Sequence, residues 1–398
     1  MAQATAIIIG GGVIGLSTAY HLARKRFGRI ILLEKGRPGD GSSSRAAGGI
    51  TGLLWTETGV AVRKLSLTRF RELSQELDGY TYRQVGCLNL FDPVSWQEQQ
   101  PLLSLYDRLG VPYEVIDADA MRSRWPDLHP DDSLTGLFDP LGGYSEPHEY
   151  LPALAAKTAA LGVEIREGAQ VSGFLRHNGR ISGVVTSAGQ VEADVVICTV
   201  HTWTQKLIEQ LQWQLPIKAF VHQRCVSEPL TAPLDIPMVN AHPLGGYCRP
   251  ADGNRLLIGF STSEREEYPV PSLAFEMSGL SIPPGVRDGA WARLSRLLPG
   301  AGQPRWATEK VGLLSFSMDG EPILGPVEQS PGLYIAASFH SGGFAYSPAA
   351  GLLLAEWVAD GKTSIDLTAF SPDRFSPARV DAYLSTTHRQ QDAVPRRH

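Results

Sequence analysis

Three glycines, Gly10, Gly12 and Gly15, follow the short β-branched run Thr5 to Ile9 and open a helical pattern. This spacing can hold a pyrophosphate. Gly10 permits a tight turn after a strand, Gly12 leaves the backbone bare for a phosphate, and Gly15 lets a helix pack on the strand. Val13 and Ile14 begin that helix, whose positive end faces the anion. Glu34 ends the next strand-like run (Arg29 to Leu33), 19 residues after Gly15, where a carboxylate accepts hydrogen bonds from a ribose. The acid would repel a 2′-phosphate and disfavours NADP. A lone GxGxxG carries little weight, but here strand, helix, strand and terminal acid stand in register. The fingerprint alone does not separate FAD from NAD.

The elements around it read as follows. A helix over 13–25 places Ile14, Thr18 and Leu22 on one face, carries Arg24, Lys25 and Arg26 in its last turn, and breaks at Gly28. Residues 38–52, rich in Gly, Ser and Ala, form a loop whose backbone can approach a ligand. Helices are expected over 58–77 and 147–161, with a mixed stretch over 84–144 between them. A strand over 163–166 precedes a meander of 170–176, 180–187 and 190–192, turning at Asn178-Gly179 and Gly189, and a buried strand over 193–199 follows. From 217 to 305 strand-like pieces (220–227, 246–249, 256–261) alternate with Pro-rich loops, and Asp252-Gly253 signals a hairpin. After Val311 the α/β pattern returns with a strand over 333–336 and a helix over 347–359. Ser347 is the expected N-cap of that helix, Pro348 suits its first turn, and Gly361 closes it. The polar tail after Arg374 is expected to fray.

The bulk properties bound the rest. A chain of 398 residues exceeds one ordinary core and suits two domains, one of them discontinuous. Apolar residues make up 43% and charged residues 19%, as in a soluble globular protein. A net charge of −5 gives no general attraction to nucleic acid. The four cysteines, Cys87, Cys198, Cys225 and Cys248, form no CxxC pair. Neither a metal site nor a disulfide framework is expected, and a cytoplasmic location fits. The apolar run from Ala6 to Leu16 lacks a basic leader and reads as strand and turn rather than signal peptide. No apolar run is long enough to span a membrane.

Further motifs carry a resemblance. Glu34-Lys35-Gly36 is followed by Gly41-Ser42-Ser43-Ser44-Arg45-Ala46-Ala47-Gly48-Gly49. Later come Gly142-Gly143-Tyr144-Ser145-Glu146-Pro147, Gly168-Ala169-Gln170-Val171, and the segment from Ala193 through Thr199 to Trp203. Asp319-Gly320-Glu321-Pro322 and Ser341-Gly342-Gly343-Phe344-Ala345-Tyr346 complete the set. In this order the segments resemble the D-amino-acid oxidase superfamily of flavoproteins, which includes glycine and sarcosine oxidases. The resemblance implies an α/β fold: a discontinuous Rossmann-type FAD-binding domain over 1–83, 145–216 and 310–398, and a mixed-sheet α+β substrate domain over 84–144 and 217–309. It implies that Lys35 and the loop from Ser42 to Gly48 lie against the flavin and its diphosphate, and that Val171, Thr199 and Trp203 touch the cofactor. Gly312 and the run Gly342, Gly343, Phe344 and Ala345 would face the flavin ring, where a helix N-terminus stabilises the charge of the reduced form. The FAD is expected to be non-covalent. The cysteine that attaches flavin in some relatives aligns with Gly312, and the histidine used by others aligns near Ser44 or Arg45.

The implied activity is oxidation of a C–N bond in an amine or amino acid, by hydride transfer to flavin N5 and hydrolysis of the resulting imine. Electrons then pass to oxygen, or, in the alternative reading, to a partner within a heteromeric dehydrogenase; either a homo- or a hetero-oligomer is compatible. The sequence departs from the pattern at several places. Relatives carry basic residues, used for substrate carboxylates, at positions aligned with Thr51, Leu314 and Ala345. His201 stands where a glycine is usual. Tyr247 and Arg249, on a strand expected to face the flavin, become the candidates for a substrate carboxylate; Arg249 is equally readable as a structural ion-pair partner. His340, before the flavin-facing glycines, is the candidate to orient substrate, with Tyr144 and His148 weaker ones.

Overall fold

The computed structural model describes residues 4–260, 267–282 and 284–389. A six-stranded sheet runs in the order Ile323–Pro326, Leu333–Ala337, Val195–Cys198, Thr5–Ile9, Arg29–Leu33, Glu164–Arg166. Its neighbours are parallel except the first pair. Alternation within one strand explains why its apolar run is continuous. Ala6 and Ile8 join the cluster under the helices, whereas Ile7 and Ile9 join one under the meander. The meander forms as expected from Val171–His177, Arg180–Thr186 and Gly189–Glu192. Helices Val13–Arg24, Glu57–Glu76 and Gly343–Asp360 cover the other face. Gly351 is obligatory in that packing, because a Cβ there would lie 2.2 Å from the Ser17 hydroxyl.

A second, mixed sheet of eight strands runs Trp306–Ser317, Ile217–Ser227, Arg255–Phe260, Gly246–Ala251, Met238–Ala241, Cys87–Phe91, Thr135–Asp139, Glu114–Ile116. The hairpin at Asp252-Gly253 forms, with Gly253 and Asn254 at positive φ. Residues at alternate positions point to opposite faces. Leu88, Leu90, Val239, Ala241 and Cys248 enter a core closed by helix Val286–Leu294. Cys87, Asn89, Phe91, Asn240 and Tyr247 therefore face the other way, into a cavity between the two sheets. This alternation is the device that delivers polar side chains to the site.

Several expectations need correction. The boundary placed near 310 falls inside strand Trp306–Ser317, which belongs wholly to the mixed sheet. The last long helix starts at Gly343, not at Ser347, so Pro348 lies inside it and Ser347 is buried rather than capping. Pro348 costs that helix one backbone bond, to the Phe344 carbonyl, close to its start. Beyond Arg374 the chain does not fray at once: helix Pro377–Leu384 buries Val380, and the buried Lys218 donates to the Thr386 carbonyl at 2.6 Å. Residue 261, expected in a strand, lies outside the described residues. Among the described residues no helix is long and apolar enough to cross a membrane. All four cysteines are free and buried.

Candidate active site

The cavity has a volume of about 670 Å³ and runs from the first strand–helix turn to the mixed sheet. At the turn, Gly10 adopts φ +101°, open only to glycine without strain. A Cβ on Gly15 would lie 1.9 Å from the Gly10 carbonyl oxygen and 2.7 Å from Thr199 Oγ1. Thr199 Oγ1 itself donates to the Ile9 carbonyl at 2.8 Å, tying the neighbouring strand to the turn. Gly10, Gly12, Val13 and Ile14 line the cavity, whereas Gly15 acts only by close packing. Glu34 reaches back across the turn: Gly11 N–H donates to Oε2 at 2.7 Å and Gly36 N–H to Oε1 at 2.8 Å. Its carboxylate is thereby fixed at the cavity wall.

The small-residue loop Ser42 to Gly48 lines the middle. Ser43 Oγ accepts from the Val13 N–H at 3.0 Å, at the start of the first helix. Two buried arginines from the mixed sheet hold the loop's carbonyls. Arg224 donates to Arg45 O at 3.1 Å and Ser44 O at 3.2 Å; Arg249 donates to Ala47 O at 2.6 Å. Lys35 Nζ donates to the carbonyls of Leu273 and Phe275 and lies 4.0 Å over the Trp203 ring, whose Nε1 also donates to Phe275 O. Lys35 and Trp203 thus clasp the 273–277 segment along one flank of the cavity.

Opposite the loop, Gly342, Gly343 and Phe344 bring the helix N-terminus to the cavity wall. The earlier start of this helix is what places its positive end there. Three non-glycine residues at positive φ border the same space: His201 (+50°), Ser338 (+54°) and His340 (+55°). Non-glycine residues in this region are strained and collect at functional sites. Burial lowers the pKa of His201 to about 4, so the ring is neutral at pH 7. His340 is held by its N–H to the Ser315 carbonyl at 3.1 Å and by an edge-on contact with Phe316.

The far end is polar. His222 Nε2 and the Tyr247 hydroxyl are 3.0 Å apart with their rings stacked. Gly259 makes room for that tyrosine, since a Cβ there would lie 1.9 Å from Tyr247 Cζ. Asn240 donates to Asn89 Oδ1 at 2.8 Å, and His242, Leu314, Arg63 and Lys310 complete this end. Thr51 donates to the buried Asp139 at 2.9 Å, so it pins its loop instead of presenting charge.

Residues 5–357 match the DAO family, described as FAD dependent oxidoreductase. The chain belongs to this family. It is 29% identical to 4-methylaminobutanoate oxidase (formaldehyde-forming) of Paenarthrobacter nicotinovorans over 93% of its own length and 45% of that protein. The chain thus spans about 45% of that relative. It is 27% identical to sarcosine oxidase subunit beta of Arthrobacter sp, covering 94% of this chain and 91% of that one. Among solved structures, L-proline dehydrogenase of P. horikoshii superposes with a TM-score of 0.85 at 25% identity, covering 94% of this chain and 98% of that one.

The residues present fit the FAD of the DAO family. A bare Gly12, the anchored Glu34 and a helix N-terminus surround one end, and a long groove of small residues leads away from it. Val171, Thr199, Trp203 and Gly312 border that groove, as do Ser42, Ser43, Ser44, Arg45, Ala46, Ala47 and Gly48. Besides Gly15, which acts by packing, Ala345 and Arg249 do not reach it. Ala345 is buried one residue past the lining helix start and faces the core. Arg249 is 0% exposed and pairs with Glu146 through both terminal nitrogens, at 2.6 and 3.0 Å. It is a strut, not a carboxylate ligand. Tyr144 is buried beneath Arg249, and His148 is exposed 3.6 Å from Asp252; neither lines the cavity. The sequence reading missed His222, Asn89, Asn240, His242, Lys310 and Arg63. Only Arg63 had a local signal, a charge on the helical face of Val60, Leu67 and Phe70.

Proposed function

We propose that the chain oxidises a C–N bond of a secondary amine, with non-covalent FAD as electron acceptor. The observation that carries this reading is the single cavity joining a dinucleotide turn to a polar end built around His222 and Tyr247. The named relatives act on 4-methylaminobutanoate, sarcosine and proline, all secondary amines, which supports the substrate class. Bound FAD supplies a two-electron acceptor at N5. The chain's residues bind, orient and deprotonate. An amine must be neutral for its lone pair to assist loss of hydride, and we assign the hydrogen-bonded His222–Tyr247 pair to take the ammonium proton. Leu314 and Phe344 give the cavity apolar wall, which favours the neutral amine. The oxidised product leaves as an imine and hydrolyses to a carbonyl. His340 is assigned to orient the substrate or the flavin edge, from its constrained place beside the glycine pair.

A second reading has electrons pass to a partner chain rather than to oxygen; likeness to one subunit of an oxidase is compatible with a partner chain. The four free, buried thiols support a reducing, cytoplasmic setting. We divide the chain into a FAD-binding domain over 1–83, 145–216 and 318–398 and a substrate domain over 84–144 and 217–317, the limits moved to follow the strand ends. Anaerobic bleaching of the purified yellow protein by N-methyl amino acids, proline and primary amines tests the activity. Bleaching by secondary amines is expected; none by any amine would overturn it. Peroxide yield in air separates oxygen from a partner as acceptor, and acid precipitation should leave all FAD in the supernatant.

A further inference from the structure

Arg63 stands out as a buried charge with no counter-ion among the described residues. It lies on the inward ridge of helix Glu57–Glu76 and is 6% exposed. Its guanidinium sits 4.2 Å over the Tyr346 ring, shares a hydrogen bond with that hydroxyl, and leaves Nε with no acceptor. It forms no ion pair with any described residue. Asp139, the acid whose charge it senses, is engaged by Gly52 N–H, Thr51 Oγ1, Leu141 N–H and Gly142 N–H. Glu321 borders an adjoining cavity of about 80 Å³ that Arg63 also lines. The other cations on the main cavity differ. Arg45 is bonded to the carbonyls of Asp40 and Gly41, Lys35 to those of Leu273 and Phe275, and Lys310 is exposed. A desolvated guanidinium is costly unless an anion meets it. The cavity is the open approach to this one, and Gly342 closes the other side: a Cβ there would lie 2.3 Å from Arg63 Nη2.

We propose that Arg63 receives the carboxylate of the bound amine, so that the substrate is an amino acid held by a cation on helix Glu57–Glu76. This rests on the amine-oxidation reading above. It supplies the charge that Thr51, Leu314 and Ala345 lack, from a different element. A guanidinium can grip a carboxylate through two parallel N–H donors, which fixes both position and orientation. The Tyr346 ring and hydroxyl hold its plane, so little is lost in ordering it on binding.

The test is a titration of the oxidised holoenzyme with acetate, and with acetamide as its uncharged analogue, followed by the flavin absorbance. Acetate is expected to perturb the spectrum saturably and acetamide not. Arg63→Met should raise the acetate Kd at least ~30-fold, while Arg63→Lys, which keeps the charge but loses the fork, should raise it ~3- to 10-fold. If Arg63→Met fails to hold FAD, the Lys variant decides: an unchanged acetate Kd there overturns the proposal. So does a wild-type enzyme that ignores acetate. A lowered flavin reduction potential in Arg63→Met with the acetate Kd unchanged would assign the charge to the reduced flavin and also overturn it. The acetate titration needs no turnover, so a failure to find any amine that bleaches the flavin would count against the proposed function alone.

Discussion

The two ends of the cavity are built on different principles. At the nucleotide end, constraint comes from backbone: Gly10 at positive φ, Gly15 with no room for a methyl group, and Glu34 bonded to two N–H groups of its own turns. At the substrate end, constraint comes from side chains on separate strands and one helix, brought together by the alternation of the mixed sheet. The first end tolerates almost no substitution because a backbone approach has no substitute. The second can change residues while keeping its frame. Thr51 and Leu314 line that end with no charge, and under the proposal above the charge comes from Arg63. Between them Arg249 and Arg224 belong to neither chemistry; they join the frame of the second to the loop of the first.

Arg249→Met gives the largest expected effect. It leaves Glu146 buried and unpaired, which should cost about 3–5 kcal/mol of stability, read as a fall in the denaturation midpoint. Replacing Glu146 with Leu in the same chain should recover much of that loss. A variant of normal stability with only KM raised would return Arg249 to the substrate end and break the comparison. Gly15→Ala comes next. The added methyl must displace the helix from the Gly10 carbonyl, a strain of about 1–3 kcal/mol. FAD affinity, measured by fluorescence quenching, should fall about 10- to 100-fold. Unchanged affinity would mean that the nucleotide end is not held by this packing.

Tyr247→Phe probes the other end. Removing the hydroxyl partner of His222 should lower kcat/KM about 10-fold, the scale of one hydrogen bond, with FAD affinity unaltered. A loss of FAD instead would place Tyr247 in the frame. Lys310→Met should have the smallest effect, about 2- to 3-fold on kcat/KM for an anionic substrate. That difference should vanish in 0.5 M salt, roughly where the Debye length drops below 5 Å. Persistence of the effect at high salt would mark Lys310 as a direct ligand.

The legible part of the site was the part governed by local backbone rules. The glycine spacing, the acid ending the second strand and the small-residue loop could be read one segment at a time, and each borders the cavity or packs at its turn. Helix starts were less secure. Ser347-Pro348 is a good start signal taken alone, yet contact with the first helix at Ser17 and the glycine pair at 342–343 carry the helix one turn further back. Arg249 was misplaced for a related reason. It does lie on the cavity-facing side of its strand, but two residues beyond Tyr247 that face meets the Ala47 loop and Glu146 instead of open space.

The sequence by itself determined the dinucleotide turn and the class of fold, because φ preferences, close backbone approach and apolar periodicity act within a few residues; the family entered through the resemblance of its ordered segments. Only the tertiary structure decided which polar groups join Tyr247 at the far end of the cavity. Arg63, His222, Tyr247 and Asn240 are far apart in the chain, and their meeting depends on strand order and register, which pair residues without regard to distance in sequence.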